Sequence, residues 1–243
     1  MKGKKVSIYE IILREKHDED RQNVEMSSGK GGKIFRMYLD KPLQHFLDEL
    51  ASGKSTPGGG SASALCGAMG AALASMVARL TLGKAGYAGV QPEIEKLLQE
   101  TENLRQRFQQ LMQEDIDAYG KLSAAFKMPR STPEESETRS KAIQARLVEA
   151  AIVPLEVVES ASKVVRCCRR IAEIGNTNVL GDIATGSLLA ASAANGAAEI
   201  VRVNLRAMKD RELVHVLTDR LNVALDDIAE CSRQVTGIIR GRV

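Results

Sequence analysis

Residues 55–80 read STPGGGSASALCGAMGAALASMVARL, and the first twenty-four of them, Ser55 to Ala78, carry no charge. Such a run has the length of a bilayer span but not its hydrophobicity. Ala, Gly and Ser dominate it, and only Leu65, Met69, Leu73, Met76 and Val77 are strongly apolar. The composition therefore predicts a central helix buried by other helices, with small side chains that let its neighbours approach closely. Charged long helices elsewhere in the chain also argue against a membrane protein.

Working outward, Pro42 opens a short helix (PLQHFLDELASG) with Leu43, Phe46, Leu47 and Leu50 at helical spacing, and Gly53 ends it. Downstream, Gln91 to about Lys127 is amphipathic, with Ile94, Leu97, Leu98, Leu104, Phe108, Leu111, Met112 and Ile116 on one face. Pro129 and Ser131-Thr132-Pro133 break it. Pro133 followed by Glu134 and Glu135 favours a new helix start, and that helix runs to about Ile171 with a bend expected near Pro154. A loop, Glu173 to Asn178, precedes a second small-residue helix over 181–206, and a terminal helix spans about Asp210 to Ile239. Two charge-poor helices, 60–78 and 183–198, inside four charged amphipathic ones predict an all-α helical bundle.

The whole-chain numbers agree. Aromatic residues make up 3% of 243 positions and Trp is absent, which disfavours strands. Lys and Arg number 34 against 31 Asp and Glu, a net charge of +3 that is too small for a nucleic-acid groove. Residues 1–36 hold nine of the basic and six of the acidic residues, so positions 37–243 balance at zero. That polar segment lacks a sustained apolar period. It reads as an extension outside the fold, either a tail or a leader translated from upstream of a natural start at Met37. The four cysteines show no paired CxxC spacing and no neighbouring His, so neither a metal site nor a disulfide framework is expected. No signal-peptide pattern opens the chain, and a cytoplasmic location is the expectation.

Chemistry must then come from few residues. The three histidines, His17, His45 and His215, lie outside the unusual segments. Asp182 is the only charged residue between Glu173 and Glu199. It stands where a helix begins, so it is a cap, a functional carboxylate or both. Asn176 and Asn178 flank the loop before it, and Asn204 lies at the far end of that helix. Thr56-Pro57-Gly58-Gly59-Gly60-Ser61 offers backbone N–H groups at a helix start but lacks P-loop spacing. Lys84 follows the central helix and suits either an anionic ligand or the helix C-terminus. Asp115 and Asp117 are two apart on the long helix. Asp115 shares a face with Leu111, Met112 and Leu122, which makes it the inward one.

Together, LDKPLQHFLDEL (39–50), STPGGGSASALCGAMGAALASMVARLTLGK (55–84), EDIDAY (114–119), Thr-Pro-Glu-Glu (132–135), VPLEV (153–157) and GNTNVLGD (175–182) resemble the cyclodeaminase/cyclohydrolase family of folate enzymes. The resemblance covers about residues 37–240. It implies an all-helical, commonly dimeric protein acting on tetrahydrofolate derivatives without a metal or redox cofactor. Two positions depart from the family pattern: Gly181 stands where Ser usually precedes the Asp, and Ile200 where Asn is usual four residues before Asn204.

On that resemblance, Asp115 and Asp182 are the candidate catalytic carboxylates and Lys84 a cation for the glutamate tail or the reacting centre. Thr56, Gly58, Gly59, Gly60, Asn176, Asn178 and Asn204 would bind the pterin. The absence of a formiminotransferase segment favours methenyltetrahydrofolate cyclohydrolase, with formiminotetrahydrofolate cyclodeaminase as the alternative. A non-catalytic helical protein that binds folate or a partner is the reading from a different class.

Overall fold

The structure, a computed structural model, describes residues 38–242. The extension over 1–36 and the start at Met37 lie outside the described residues. Among the described residues six α-helices follow one another: α1 (Leu43–Leu50), α2 (Gly59–Arg79), α3 (Gln91–Phe126), α4 (Pro133–Ile174), α5 (Leu180–Ala207) and α6 (Arg211–Arg242). Short 3-10 turns at Ala85–Val90 and Thr177–Val179 lead into α3 and α5. Among the described residues there is no strand. The expected all-α bundle is what forms.

Helix α2 packs against α3, α4 and α5. Its 18-residue apolar window has a mean hydropathy of 1.5, enough by length and composition to cross a membrane, and 61% of that window is buried inside the bundle. Small residues set this packing. A Cβ on Gly70 would lie 2.7 Å from the Gly186 carbonyl oxygen, and one on Gly67 would lie 2.5 Å from the Phe108 ring. Side chains there would force the helix axes apart and open the Ala-rich core. Gly70→Ala should therefore destabilise the fold by about 1–3 kcal/mol, because the clash is with backbone that cannot rotate away. Gly120 on α3 has open space around its missing Cβ, and Gly120→Ala should stabilise by about 1 kcal/mol through helix propensity. Urea midpoints moving in these opposite directions are the check.

Helix starts follow their local chemistry. Thr132 Oγ1 accepts from the Glu135 N–H at 3.2 Å, and Glu135 Oε2 accepts from the Thr132 N–H at 3.3 Å, a capping box with Pro133 as first helical residue. Asp210 Oδ1 caps α6 by accepting from the Leu213 N–H at 3.0 Å. Helix α4 runs unbroken through Pro154. Proline has no N–H, so the Ala150 carbonyl four residues back loses its helical donor. Asn204 of α5 supplies one, its Nδ2 donating to Ala150 O at 2.8 Å.

Helix α1 departs from expectation. Of its four apolar positions only Phe46 is buried, set edge-on to Tyr38 at 5.4 Å between centroids, while Leu43 and Leu47 are exposed and Leu50 is partly buried. One aromatic pair anchors a helix of eight residues, too short to present a full apolar stripe.

Candidate functional site

The contacts of α2 fix the helix directions. Gly60 lies against Asp115, Gly67 against Phe108, and the Ser75 hydroxyl donates to Thr101 Oγ1 at 2.8 Å, so α3 runs antiparallel to α2. Gly59 lies against Ile200, Ser63 against Gly196 and Gly70 against Gly186, so α5 is antiparallel too. These directions divide the predicted site residues into two groups. Thr56, Gly58, Gly59, Gly60, Asp115 and Asn204 belong to the N-terminal end of α2. Lys84, Asn176, Asn178 and Asp182 belong to its C-terminal end. Twenty residues of helix separate the ends, about 30 Å.

At the first end, the Asp115 carboxylate sits over the opening turn of α2. A Cβ on Gly60 would come within 2.0 Å of Asp115 Oδ1, so only glycine admits the carboxylate there. Burial raises the Asp115 pKa above the usual carboxylate value, and hydrogen bonds from the Ser61 N–H and hydroxyl pull the other way without cancelling it. Ser61 also braces the turn, its Oγ accepting from the Gly58 N–H at 3.0 Å. Asp115 is half-buried whereas Asp117 is exposed, as the helical phase predicted. Asn204 spends both Nδ2 hydrogens on backbone, Ala150 O at 2.8 Å and Ile200 O at 3.0 Å. Only its Oδ1 is left for a ligand.

The second end is organised by side chains the sequence reading passed over. Gln91 Oε1 accepts from the Gly83 N–H at 2.8 Å, while its Nε2 donates to the carbonyls of Tyr87 at 2.8 Å and Thr81 at 3.4 Å. One amide thus closes the turn that carries Lys84, which is exposed. Tyr87 Oη accepts from the Thr177 N–H at 3.1 Å, and hydrogen bonding from the Thr177 side chain and then its backbone, helped by the charges of Arg242 and Lys84, lowers the phenol's pKa. Arg242 Nη2 donates to Gly175 O at 3.3 Å, tying the end of α6 to the same loop. The turn's signal in sequence was its glycines, Gly83, Gly86 and Gly89. Nothing in spacing marks Gln91.

Asn176 is 3% exposed and fully engaged. Its N–H donates to Thr81 Oγ1 at 3.0 Å, its Nδ2 to Leu80 O at 3.0 Å, and its Oδ1 accepts from the Asn178 N–H at 3.1 Å. It joins the end of α2 to the start of α5. The Asn178 side chain is exposed and open to a ligand. Asp182 is half-buried in the first turn of α5, whose N-cap is Val179 with no side-chain capping bond. Its carboxylate therefore favours the helix dipole without serving as the cap.

The chain thus presents two half-sites: at one end of α2 a glycine-framed carboxylate, Asp115, that can accept a proton, and at the other a half-buried carboxylate, Asp182, with the exposed cation Lys84, that can stabilise a charged centre. Among the described residues no three His, Cys, Asp or Glu gather as metal ligands.

The chain belongs to the formiminotransferase-cyclodeaminase family, whose sequence profile matches residues 42–223. It is 33% identical over 204 residues to the methenyltetrahydrofolate cyclohydrolase of Methylorubrum extorquens, covering 84% of this chain and 98% of that one. Rat formimidoyltransferase-cyclodeaminase is 29% identical over 204 residues, and the chain spans only 38% of its length. The crystal structure of formiminotetrahydrofolate cyclodeaminase from Thermotoga maritima superimposes with a TM-score of 0.76 at 30% identity, covering 84% of this chain and 98% of that one.

Proposed function

We propose that this one-carbon folate enzyme hydrolyses 5,10-methenyltetrahydrofolate to 10-formyltetrahydrofolate. The observation that carries this reading is the likeness to a cyclohydrolase over 98% of that protein's length. Water attacks the cationic methenyl carbon and loses a proton to give a neutral hydroxy adduct. As the carbon–N5 bond breaks, N5 takes up a proton and the adduct's hydroxyl gives up its own, leaving the formyl group on N10 and one proton released overall. Asp115 is the preferred base, since its raised pKa places it closer to neutral pH. Asp182 stabilises the cation, Lys84 meets an anionic part of the substrate, and Thr56, Gly58, Gly59, Gly60 and Asn178 hold the pterin. The chemistry asks for no metal or redox cofactor.

The Thermotoga maritima likeness favours a second reading, cyclodeamination. There N10 attacks the formimino carbon on N5, and ammonia leaves to give the same methenyl compound. The two are separated by following loss of methenyltetrahydrofolate absorbance beside ammonia release from 5-formiminotetrahydrofolate. Acceleration of the first alone is expected. Acceleration of neither would overturn the folate assignment.

The working form in this reading is a homodimer. Met69, Met76 and Leu188 are 45%, 37% and 62% exposed on the outward face of the α2–α5 pair. That face carries no charge from Gly59 to Ala78 on α2 or from Ile183 to Ala198 on α5. A two-fold axis lying in that face and perpendicular to α2 would set the Asp115 end of one protomer against the Lys84 end of its partner. Two sites, each shared, would result. The balanced charge of residues 37–243 argues for no nucleic-acid partner, and α2 is read as a core helix with no membrane partner. A cytoplasmic location fits four free thiols, of which Cys167 is pushed up to about 12 by burial.

A further inference from the structure

Helix α2 begins lower in the bundle than its neighbours end, and the mismatch opens a slot above its first turn. Gly67 meets Phe108 and Gly60 meets Asp115, so Tyr119, one turn further along α3, stands level with Thr56 in the loop ahead of α2. On the other side Ser63 meets Gly196 and Gly59 meets Ile200, which puts Val203 of α5 at that same level. Both helices run on past the start of α2, α3 to Phe126 and α5 to Ala207. Side chains on their inner faces lose their cover there. Tyr119 is 43% exposed and Val203 60%, although Phe108, on the same stripe of α3 as Tyr119, is fully buried.

Asp115 lies in the floor of this slot. Residues four apart on a helix share a face, with Cβ atoms about 5–6 Å from one another, so Tyr119 rises beside the carboxylate that Gly60 frames. The facing wall is aliphatic, with Ile200 Cδ1 lying 3.3 Å from where a Cβ on Gly59 would sit and Val203 beyond it. Phe126 is exposed as well, but it follows Asp115 by eleven residues, about 16 Å, too far for a ring that also reaches the carboxylate. One aromatic wall, one aliphatic wall and a carboxylate in the floor suit a flat heterocycle with polar edges, laid against the aromatic face.

Resting on the folate reading, we propose that Tyr119 is the platform on which the pyrimidine ring of the substrate's pterin stacks, with the reacting carbon turned toward Asp115. The ring face supplies the interaction and the hydroxyl does not. Stacking is the same before and during the chemical step, so it lowers KM and leaves kcat alone.

The test measures turnover of methenyltetrahydrofolate, and calorimetric binding of folic acid as a probe, in the wild type, Tyr119→Phe, Tyr119→Trp, Tyr119→Leu and Tyr119→Ala. Tyr119→Phe and Tyr119→Trp should keep the wild-type KM and folic acid Kd. Tyr119→Leu and Tyr119→Ala should raise both by about tenfold or more, the usual worth of an aromatic side chain stacked on a heterocycle, with kcat unchanged. Because Tyr119 is exposed, the variants should melt with the wild type. A loss of kcat in Tyr119→Phe would assign the hydroxyl a part in the chemistry and overturn the proposal. Equal affinity in Tyr119→Leu and Tyr119→Phe would overturn it too, since any apolar wall would then serve. Both outcomes leave the folate reading intact. Folic acid binding that depends on an aromatic ring at this position, in a protein that turns over no folate, would keep the platform and refute the reaction. A wild type that binds no folate in any form would overturn both.

Discussion

Asp115→Asn should remove turnover while making the protein harder to unfold. As the preferred base, Asp115 accepts a proton in the chemical step, and loss of such a group costs on the order of 10²–10⁴-fold in kcat. Its effect on stability has the opposite sign. Burial raises the folded-state pKa of Asp115. Its contribution to stability is thus fully present below the unfolded-state pKa and lost as pH rises through the raised folded value. Above that raised value the charged carboxylate opposes folding. Asparagine has nearly the same shape, still accepts from the Ser61 N–H and carries no charge to bury. Folate binding should persist in the variant, and its melting temperature at pH 7 should equal or exceed that of the wild type. A fall in melting temperature with activity retained would assign Asp115 to structure alone. The pH profile provides a further check: wild-type activity should fall as the medium is acidified through the raised pKa of Asp115, and the variant's residual rate should lack that limb.

Mixing two inactive variants should restore activity. Asp115→Asn disables the glycine-rich end of every protomer, and Asp182→Asn disables the other end. In a two-fold dimer with shared sites, a mixed dimer has one site with both defects and one with neither. Random reassociation makes half the dimers mixed, so equal amounts should regain about 25% of wild-type activity. Sites confined within single protomers would regain nothing. Unfolding is not needed for the exchange, only dilution below the dimer dissociation constant followed by concentration.

How much of this could be read from the chain depends on which forces were local. The uncharged run from Ser55 to Ala78 announced α2, since a span without charge and with many small residues has few places to go except the centre of a bundle. Pro133 followed by Glu134 and Glu135 announced the start of α4, because a proline and acidic side chains favour a helix N-terminus within its own first turn. The phase of one helix placed Asp115 inward and Asp117 outward.

The division of the candidate site was hidden. It follows from α3 and α5 both running antiparallel to α2, and only packing across the bundle sets that. Asn176 and Asn204 were readable as polar residues in unusual places, yet their partners lie 96 and 54 positions away at Leu80 and Ala150. Gln91 and Tyr87 gave no signal because their work is to hold a turn through backbone atoms, which any sequence has. Leu43 and Leu47 had the right spacing for a buried face, but periodicity does not say whether a neighbour covers it.

The Asn204 bond has a reach beyond the proline it compensates. By engaging a carbonyl of α4, it sets how far α5 is turned about its own axis and how far it has slid along its neighbour. A helix is a stiff rod, so a setting made at one end holds at the other. Asp182 lies twenty-two residues back on that rod, about 33 Å away. A missing hydrogen in one helix thus helps decide where the carboxylate at the opposite end of another is aimed.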